Sequence, residues 1–597
     1  MVENSQKITA LELLKMARKY TKNDQTTSQT PDIKVMVLGS YSTQYISSCL
    51  EYLLNTQIDK KIEVLDGQYN SILNNVLDEN SQLHAYEPDI LVLLPDVEDF
   101  INYAPEKFST DAQVKSAVQK VVDFYKALWA KIPSKCLILQ ANFVVPNLRA
   151  LGNLEANYIW SKSSFISAVN LELLHKRPSN VLLLDFEQLA SALGKNKWFD
   201  YQAYNMYKFG FSLDFLPEVV DLIQRQISAT RGATKKCLVL DLDNTIWGGI
   251  VGDDGIDGIE LDPHTPVGES YRHFQKYVLE LKKRGVILAI CSKNDEENAR
   301  EPFEKNKYMI LQLADISCFM ANWDDKANNI KKIADVLNIG VDSMVFFDDN
   351  PAERCIVQKF IPECLVVDVP KEIADYTRAL EDAHAFDWLQ LTAEDLNRTS
   401  NYAANTERVS LATSFTNYAD YLDALQMVAH IGQIKHEQIP RFSQLINKSN
   451  QFNLRTIRYT EAEIEKLYNN NAVHCIEITL ADKFSEHGLI SCIILRRNDT
   501  ELFIDTWLMS CRVLKRGVED LALEYIVELA KNWGFKQISA EYIPTKKNKM
   551  VLNFYQELGF EKVDETPTGN VYYKLEINDE LETKKHYIKL RRKDEHD

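Results

Sequence analysis

The stretch CLVLDLDNTIWGG, residues Cys237 to Gly249, decides the fold. Its four apolar residues up to Leu240 read as a buried strand that runs directly into Asp241, Leu242, Asp243, Asn244 and Thr245. Side chains alternate along a strand, so Asp241 and Asp243 point the same way. Two like charges at the mouth of a core are costly unless a cation or a reacting group compensates them. A hard divalent ion such as Mg²⁺ suits oxygen ligands of this kind. A helix N-cap explains one of these residues, but not both aspartates.

Matching features follow in order. A second apolar strand, Val286 to Ile290, ends in Cys291, Ser292, Lys293 and Asn294, a small hydroxyl with donors suited to a phosphate oxygen. Asn322-Trp323-Asp324-Asp325-Lys326 stands at the expected start of a helix and offers a cation to a phosphoryl group. A third strand, Met344 to Phe347, ends in Asp348, Asp349 and Asn350, a further acidic set for metal. This succession resembles the four motifs of the haloacid dehalogenase (HAD) phosphotransferase superfamily. All four fall at carboxyl ends of strands, where open α/β sheets place their sites. Between Asp243 and Ser292 there is space for a short flap, WGGIVGDDG, and one helix, about Val267 to Arg284; between Asn294 and Lys326, for a helix and a strand. A separate cap needs roughly 50 residues or more, so an open site is expected, one able to admit a substrate carried on a protein.

The 597 residues exceed what one core serves, and α/β units are expected throughout. A hydrophobic share of 45% with 26% charged residues describes a soluble globular chain. Its opening, MVENSQKITALELLKMARKY, reads as a short amphipathic helix without a signal region, and no run approaches a membrane span, so a cytoplasmic location and no membrane partner are expected. A net charge of −18 argues against nucleic acid. The ten cysteines are scattered without zinc spacing, which predicts reduced, mostly buried thiols.

Residues 1–230 alternate strands (Lys34 to Leu38, Ile90 to Leu94, Cys136 to Gln140, Val181 to Leu184) with helices such as Thr110 to Ala130, as a parallel sheet requires. Gly39-Ser40, Asn142 and Gly152-Asn153 look like the SGNH hydrolase fold. The pattern departs where it matters: Asp200 is followed by Tyr201, Gln202 and Ala203, with no histidine. A serine without a base is a poor nucleophile, so a degenerate, structural or partner-binding domain is expected.

The HAD unit spans 231–385, a linker 386–407, a mixed α/β domain 408–577, and a charged tail 578–597 expected to fray. In the last domain NFYQELGF, with Tyr555, is similar to the closing helix of GNAT acyltransferases, where a tyrosine can face the thioester. SCRVLKRGVE, Ser510 to Glu519, falls where that fold cradles the pyrophosphate of coenzyme A on a helix N-terminus. Only Gly517 remains of the glycine pattern, while Arg512, Lys515 and Arg516 offer charge to coenzyme A, a phosphopantetheine arm or an acidic carrier protein. A merely solvated basic loop is the alternative.

Together, LDLDNTIWGGIVGDDG, AICSKND, the NWDDK segment, FFDDNPAER, NKSNQFNLR, SCRVLKRGVE and PTKKN resemble the FkbH-like proteins of HAD subfamily IIIC, over about 231–560. The resemblance implies dephosphorylation of 1,3-bisphosphoglycerate and loading of a glyceryl unit, through an enzyme cysteine, onto an acyl carrier protein. Carried onto this chain, Asp241 is the nucleophile or phosphate-handling carboxylate, and Asp243 the general acid/base with its backbone carbonyl on the metal. Ser292 and Lys326 bind phosphate. Asp348 holds Mg²⁺, with Asp349 alongside. Cys291 is the thioester candidate, its pKa expected to fall beside a lysine and a helix N-terminus. A plain phosphatase of a small phosphorylated metabolite, and a scaffold of degenerate enzyme domains, are the competing readings.

Overall fold

Three β-sheets organise the chain in a computed structural model. It describes all residues except 1–7, 25–30, 58–60, 231–233, 390, 392–407, 409–410, 412–414, 416, 450–451, 499, 511–512, 546–547, 579–580, 582–583 and 592–597. The chain divides at Arg231 into two compact units. Most of the expected linker 386–407 lies outside the described residues.

The first unit holds β1 (Ile33–Gly39), β2 (Ile62–Asp66), β3 (Ile90–Leu94), β4 (Leu137–Ala141) and β5 (Val181–Leu184). They form a wholly parallel sheet in the order β2-β1-β3-β4-β5. β3 is buried at every position, as expected of a strand covered on both faces. β2 was not anticipated: it is a short edge strand, mostly half-exposed, and so carries no continuous apolar run.

The second unit begins with β6 (Cys237–Leu240), β7 (Ile287–Ser292), β8 (Cys318–Ala321), β9 (Met344–Phe347) and β10 (Leu365–Val366). They too are parallel, in the order β10-β9-β6-β7-β8. Its helices include α1 (Val251–Gly258), α2 (Pro266–Lys283), α3 (Glu296–Lys305), α4 (Lys326–Leu337) and α5 (Pro351–Phe360). Local chemistry sets their starts. Thr265 accepts from the N–H of Gly268 at 3.1 Å, with Pro266 at the first helical position of α2. Asp325 accepts from that of Asn328 at 2.9 Å, so that α4 opens at Lys326. The flap is α1, kinked at Gly255, and no larger insertion separates β6 from α2.

The third sheet has the order β16-β17-β15-β14-β13-β12-β11-β18. Its strands are β11 (Val428–Gln433), β12 (Val473–Ala481), β13 (Glu486–Arg497), β14 (Leu502–Met509), β15 (Gln537–Tyr542), β16 (Glu561–Glu565), β17 (Val571–Glu576) and β18 (Lys589–Leu590). β14 pairs with β15 in parallel and β18 with β11 in parallel; the other pairs are antiparallel. α6 (Val518–Asn532) follows β14. Two expectations fail here. The closing helix expected at NFYQELGF is reduced to one short turn, Phe554–Glu557, preceded by a 3₁₀ turn, Lys549–Val551. The tail does not simply fray: Ile588 is buried and β18 pairs with β11, because alternating apolar residues inside the charge run find a sheet edge. Among the described residues no helix is long and apolar enough to cross a membrane.

Candidate active site

Register brings the aspartates together. β6 lies between β7 and β9 with Leu240 opposite Ile290 and Phe347, so the chain beyond places Asp241 level with Cys291 and Asp348. The Asp241 N–H continues the ladder to the carbonyl of Phe347 at 3.1 Å. Carboxylate oxygens of Asp241, Asp348 and Asp349 lie within 4.8 Å of one another. Lys326, at the start of α4 and 2% exposed, sets its Nζ 2.9 Å from Asp241 Oδ1 and 2.5 Å from Asp348 Oδ2.

The contact to Asp241 is an ion pair rather than an aligned hydrogen bond, which leaves the buried Oδ1 without a hydrogen-bond partner. Burial and the neighbouring Asp241 push Asp348 up to about 7 and raise Asp349. For Lys326 burial works against the ammonium, but the charges of Asp241 and Asp348 outweigh it and raise its pKa. Three crowded carboxylates, one with an unsatisfied oxygen, make an all-oxygen donor set that fits Mg²⁺. The grouping takes in Asp349 through its side chain, but not the side chain of Asp243.

Asp243 is instead held from three directions. Its Oδ1 accepts from Trp247 Nε1 at 2.9 Å and from the N–H of Val251 at 3.0 Å, and its Oδ2 from Asn294 Nδ2 at 3.1 Å. Burial raises its pKa, with the Asp241 charge adding to the effect. The turn beneath is shaped by Asn244, at φ +55, and by Gly249, whose N–H donates to Asn244 Oδ1 at 3.0 Å and whose φ is +89. At Gly248 an added Cβ would fall 2.9 Å from Tyr271. The WGG sequence therefore lets the α1 flap turn back so that the Val251 N–H reaches Asp243.

Ser292 ends β7 beside this cluster and is buried. Cys291 lies on the opposite face of β7 from Ser292, the face on which Asp241 and Asp348 follow Val239 and Phe346, and its Sγ is 3.8 Å from the Lys326 carbonyl. It is fully buried among Val239, Ala289, Ile330 and Phe346. Burial pushes its thiol well above the usual range, and Lys326 pulls it back only in part. The expected low-pKa thiolate is thus not what the packing makes: the lysine is near, but its charge is taken by Asp241 and Asp348.

Sequence reasoning missed Asn294, which reaches Asp243, and Thr245, whose hydroxyl lies 3.3 Å from Asp349 Oδ1. It also missed Arg354, whose guanidinium donates to the backbone carbonyls of Asp348 and Asp349 at 2.8 Å each. Each lies inside a quoted motif, so the signal was present without its role. Trp323, 70% exposed, is pinned by Nε1 to Asp295 Oδ1 at 3.0 Å, next to Asn294.

In the first unit Ser40 donates to Asp99 at 2.5 Å, and Asp200 caps a helix by accepting from Ala203 at 2.9 Å. Asn142 donates to Asp185. No histidine joins Ser40 in these contacts. In the last domain Arg516 is buried and turned to Asp482, 3.4 Å away; Tyr555 is 1% exposed; Gly517 precedes α6 at φ +83. Arg512 lies outside the described residues.

Parallel sheet, carboxylates on adjacent central strand ends and a lysine bridging them define an HAD-type phosphatase centre. Comparison with known proteins agrees. Residues 34–227 match the FkbH N-terminal domain family. The N-terminal part of BF1531 from Bacteroides fragilis, containing a phosphatase domain complexed with Mg, is 32% identical with a TM-score of 0.58, over 64% of this chain and all of that one. The chain belongs to the FkbH-like family. Over its last quarter it is similar to the ribosomal-protein-S18-alanine N-acetyltransferase of Escherichia coli, at 12% identity and TM-score 0.20 over 26% of this chain and 99% of that one. It is likewise similar to the aminoglycoside acetyltransferase AAC(6')-Ib in complex with coenzyme A, at 17% and 0.20 over 25% of this chain and 94% of that one. No curated protein matches the chain in sequence.

Proposed function

We propose that the chain is a Mg²⁺-dependent HAD-type enzyme that removes the phosphoryl group of a phosphorylated hydroxyacid, 1,3-bisphosphoglycerate-like, and passes the acyl unit to an acyl carrier protein. The observation that carries the phosphoryl half is the pairing of Lys326 with both Asp241 and Asp348, with Asp243 held apart at raised pKa.

Asp241 attacks the phosphorus of the hydroxyl-borne phosphate ester in line, forming an aspartyl-phosphate as the bond to that ester oxygen breaks and leaving the acyl phosphate intact. Asp243, with a pKa raised by burial, delivers its proton to that oxygen and then takes one from the water that hydrolyses the intermediate. Lys326 neutralises charge on the equatorial oxygens, and the buried Ser292 hydroxyl holds one of them. Mg²⁺, held by Asp241, Asp348 and Asp349 and by the backbone carbonyl of Asp243, supplies further charge neutralisation when bound.

The acyl half rests on the family and on the single small flap α1, which leaves the mouth open to a carrier-borne group. A thioester at Cys291 requires that thiol to leave its apolar packing, so direct transfer is the simpler route: the carrier's thiol attacks the acyl-phosphate carbonyl, forming the thioester as the bond to phosphate breaks and phosphate leaves. Intact-protein mass spectrometry with Mg²⁺ and fresh 1,3-bisphosphoglycerate, beside Asp241→Asn and Cys291→Ser, tests both halves. Phosphate release that survives Asp241→Asn sinks the phosphoryl mechanism. Release without glyceryl on enzyme or carrier sinks the acyl half and leaves a plain phosphatase.

A further inference from the structure

Coenzyme A makes three demands of a protein: donors for a pyrophosphate, an open channel with free backbone groups for an extended arm bearing two amides, and a polar group near the thioester. The GNAT likeness implies such a site in the last domain. Each demand meets a position that the chain itself fills.

The pyrophosphate position is the turn before α6. There the Glu519 side chain folds back and accepts the N–H of Lys515 at 2.9 Å. A helix N-terminus favours an anion, and Glu519 already supplies one. Above Gly517 lies the tail: a Cβ there would meet His586 at 3.3 Å. Arg516, a charge expected to meet the phosphates, is buried against Asp482, which also binds Arg408 at 2.7 Å and His487 at 2.9 Å.

The channel for an arm would be the fork between β14 and β15. These parallel strands pair only from Leu502 opposite Ile538 to Ile504 opposite Ala540. Beyond that point Phe452–Leu454 is hydrogen-bonded to both. The Leu454 N–H donates to the Trp507 carbonyl at 3.3 Å, that of Met509 to Phe452 at 3.2 Å, and that of Ile543 to Leu454 at 2.9 Å. Arg455 closes the fork's base, donating to Asp505 Oδ1 at 3.0 Å and Glu541 Oε2 at 2.7 Å. Asn548, fully buried, donates to the Asn453 carbonyl at 2.9 Å. An arm seeking those strand edges finds them paired. Tyr555 is packed against Tyr573 and Phe560, ring centroids 5.3 and 5.1 Å away, rather than facing an opening.

We infer that the last domain works without coenzyme A: Glu519 takes the pyrophosphate position, and the segment Phe452–Arg455, locked by Asn548, is a built-in wedge in the strand fork. The described parts of QFN and PTKKN are thus parts of a fold device, not the lining of a cofactor site.

Isothermal titration of the full chain with coenzyme A and with acetyl-coenzyme A tests the first half. No saturable binding up to about 1 mM is expected, and 1:1 binding below about 100 μM overturns the inference. Arg455→Met tests the wedge. Limited proteolysis of the last domain is expected to quicken at least tenfold, with phosphate release from p-nitrophenyl phosphate unchanged, and unchanged proteolysis overturns the wedge. Asn548→Ala serves where Arg455→Met gives insoluble protein, with the same two outcomes.

Discussion

Lys326→Met removes one ammonium from between two carboxylates and keeps a side chain of similar length. In the native protein Asp241 is 7% exposed and Asp348 fully buried, and Lys326 is the cation paired with both. Breaking a buried pair from one side costs about 3–5 kcal/mol, because a charge is left without compensation. For a unit of this size each kcal/mol moves a melting transition by about 2–4 °C, so a fall of about 6–20 °C is expected in EDTA. Two features separate this from ordinary core damage. Asp348 is already pushed up to about 7, and without the lysine the pair sheds its repulsion by taking up a proton. The deficit is therefore larger at pH 8 than at pH 6. Mg²⁺ brings a replacement charge: occupancy at a hundredfold over Kd adds about 2.7 kcal/mol, so the variant recovers much of its loss. Its Mg²⁺-induced rise should exceed that of the native chain, although phosphatase activity stays low. Differential scanning calorimetry, which resolves transitions of separate domains, reads all of this. A variant melting within about 2 °C of the native chain in EDTA refutes the reasoning, as does a Mg²⁺ response no larger than native.

Gly249→Ala sets a Cβ 2.7 Å from Asp254 Oδ2 in a residue at φ +89. A strain of about 1–2 kcal/mol and a kcat loss of roughly tenfold are expected, since the flap N–H on Asp243 shifts; unchanged steady-state kinetics count against that role. Iodoacetamide on the native chain should label the exposed Cys355 and leave the buried Cys291 untouched; peptide mapping showing Cys291 alkylated as fast as Cys355 contradicts the packing described. His487 is held neutral, its folded pKa lowered to about 4, first by burial, with Asp482 opposing and Arg516 adding. The unfolded chain therefore binds the extra proton between pH 6.5 and about 4, and stability falls as pH falls through that window. At 1.36 kcal/mol per pH unit the last domain loses up to about 3 kcal/mol. Denaturant midpoints should track this in the native chain and flatten in His487→Gln, and a flat native profile removes the argument.

The phosphatase centre was legible because its chemistry is local. Each carboxylate or cation sits one or two residues beyond an apolar run that can only be a buried strand, or at a capped helix start. The parallel order then brings Asp241 and Asp348 together without further information. Asn294 and Arg354 were readable as motif members but not as actors, since which polar side chain reaches Asp243, or braces Asp348 and Asp349, depends on how loops from different strands lean. Cys291 shows the limit more sharply. A period of two puts Cys291 on the face of Asp241 and Asp348 and Ser292 on the other, but it does not tell that the thiol is sealed in apolar packing with Ile330 and Phe346. The last domain misleads for a related reason. Arg516 and Tyr555 have the right residue types near the right turns, but type does not tell whether a side chain points to a ligand or to its own chain. Asp482 lies 34 residues from Arg516, Glu519 two from Gly517, and the wedge more than 50 from the strand groups it pairs. Only the close case, Glu519 two residues after Gly517, could have been suspected, because a carboxylate in the first turn of a helix competes with any anion for the same N–H groups.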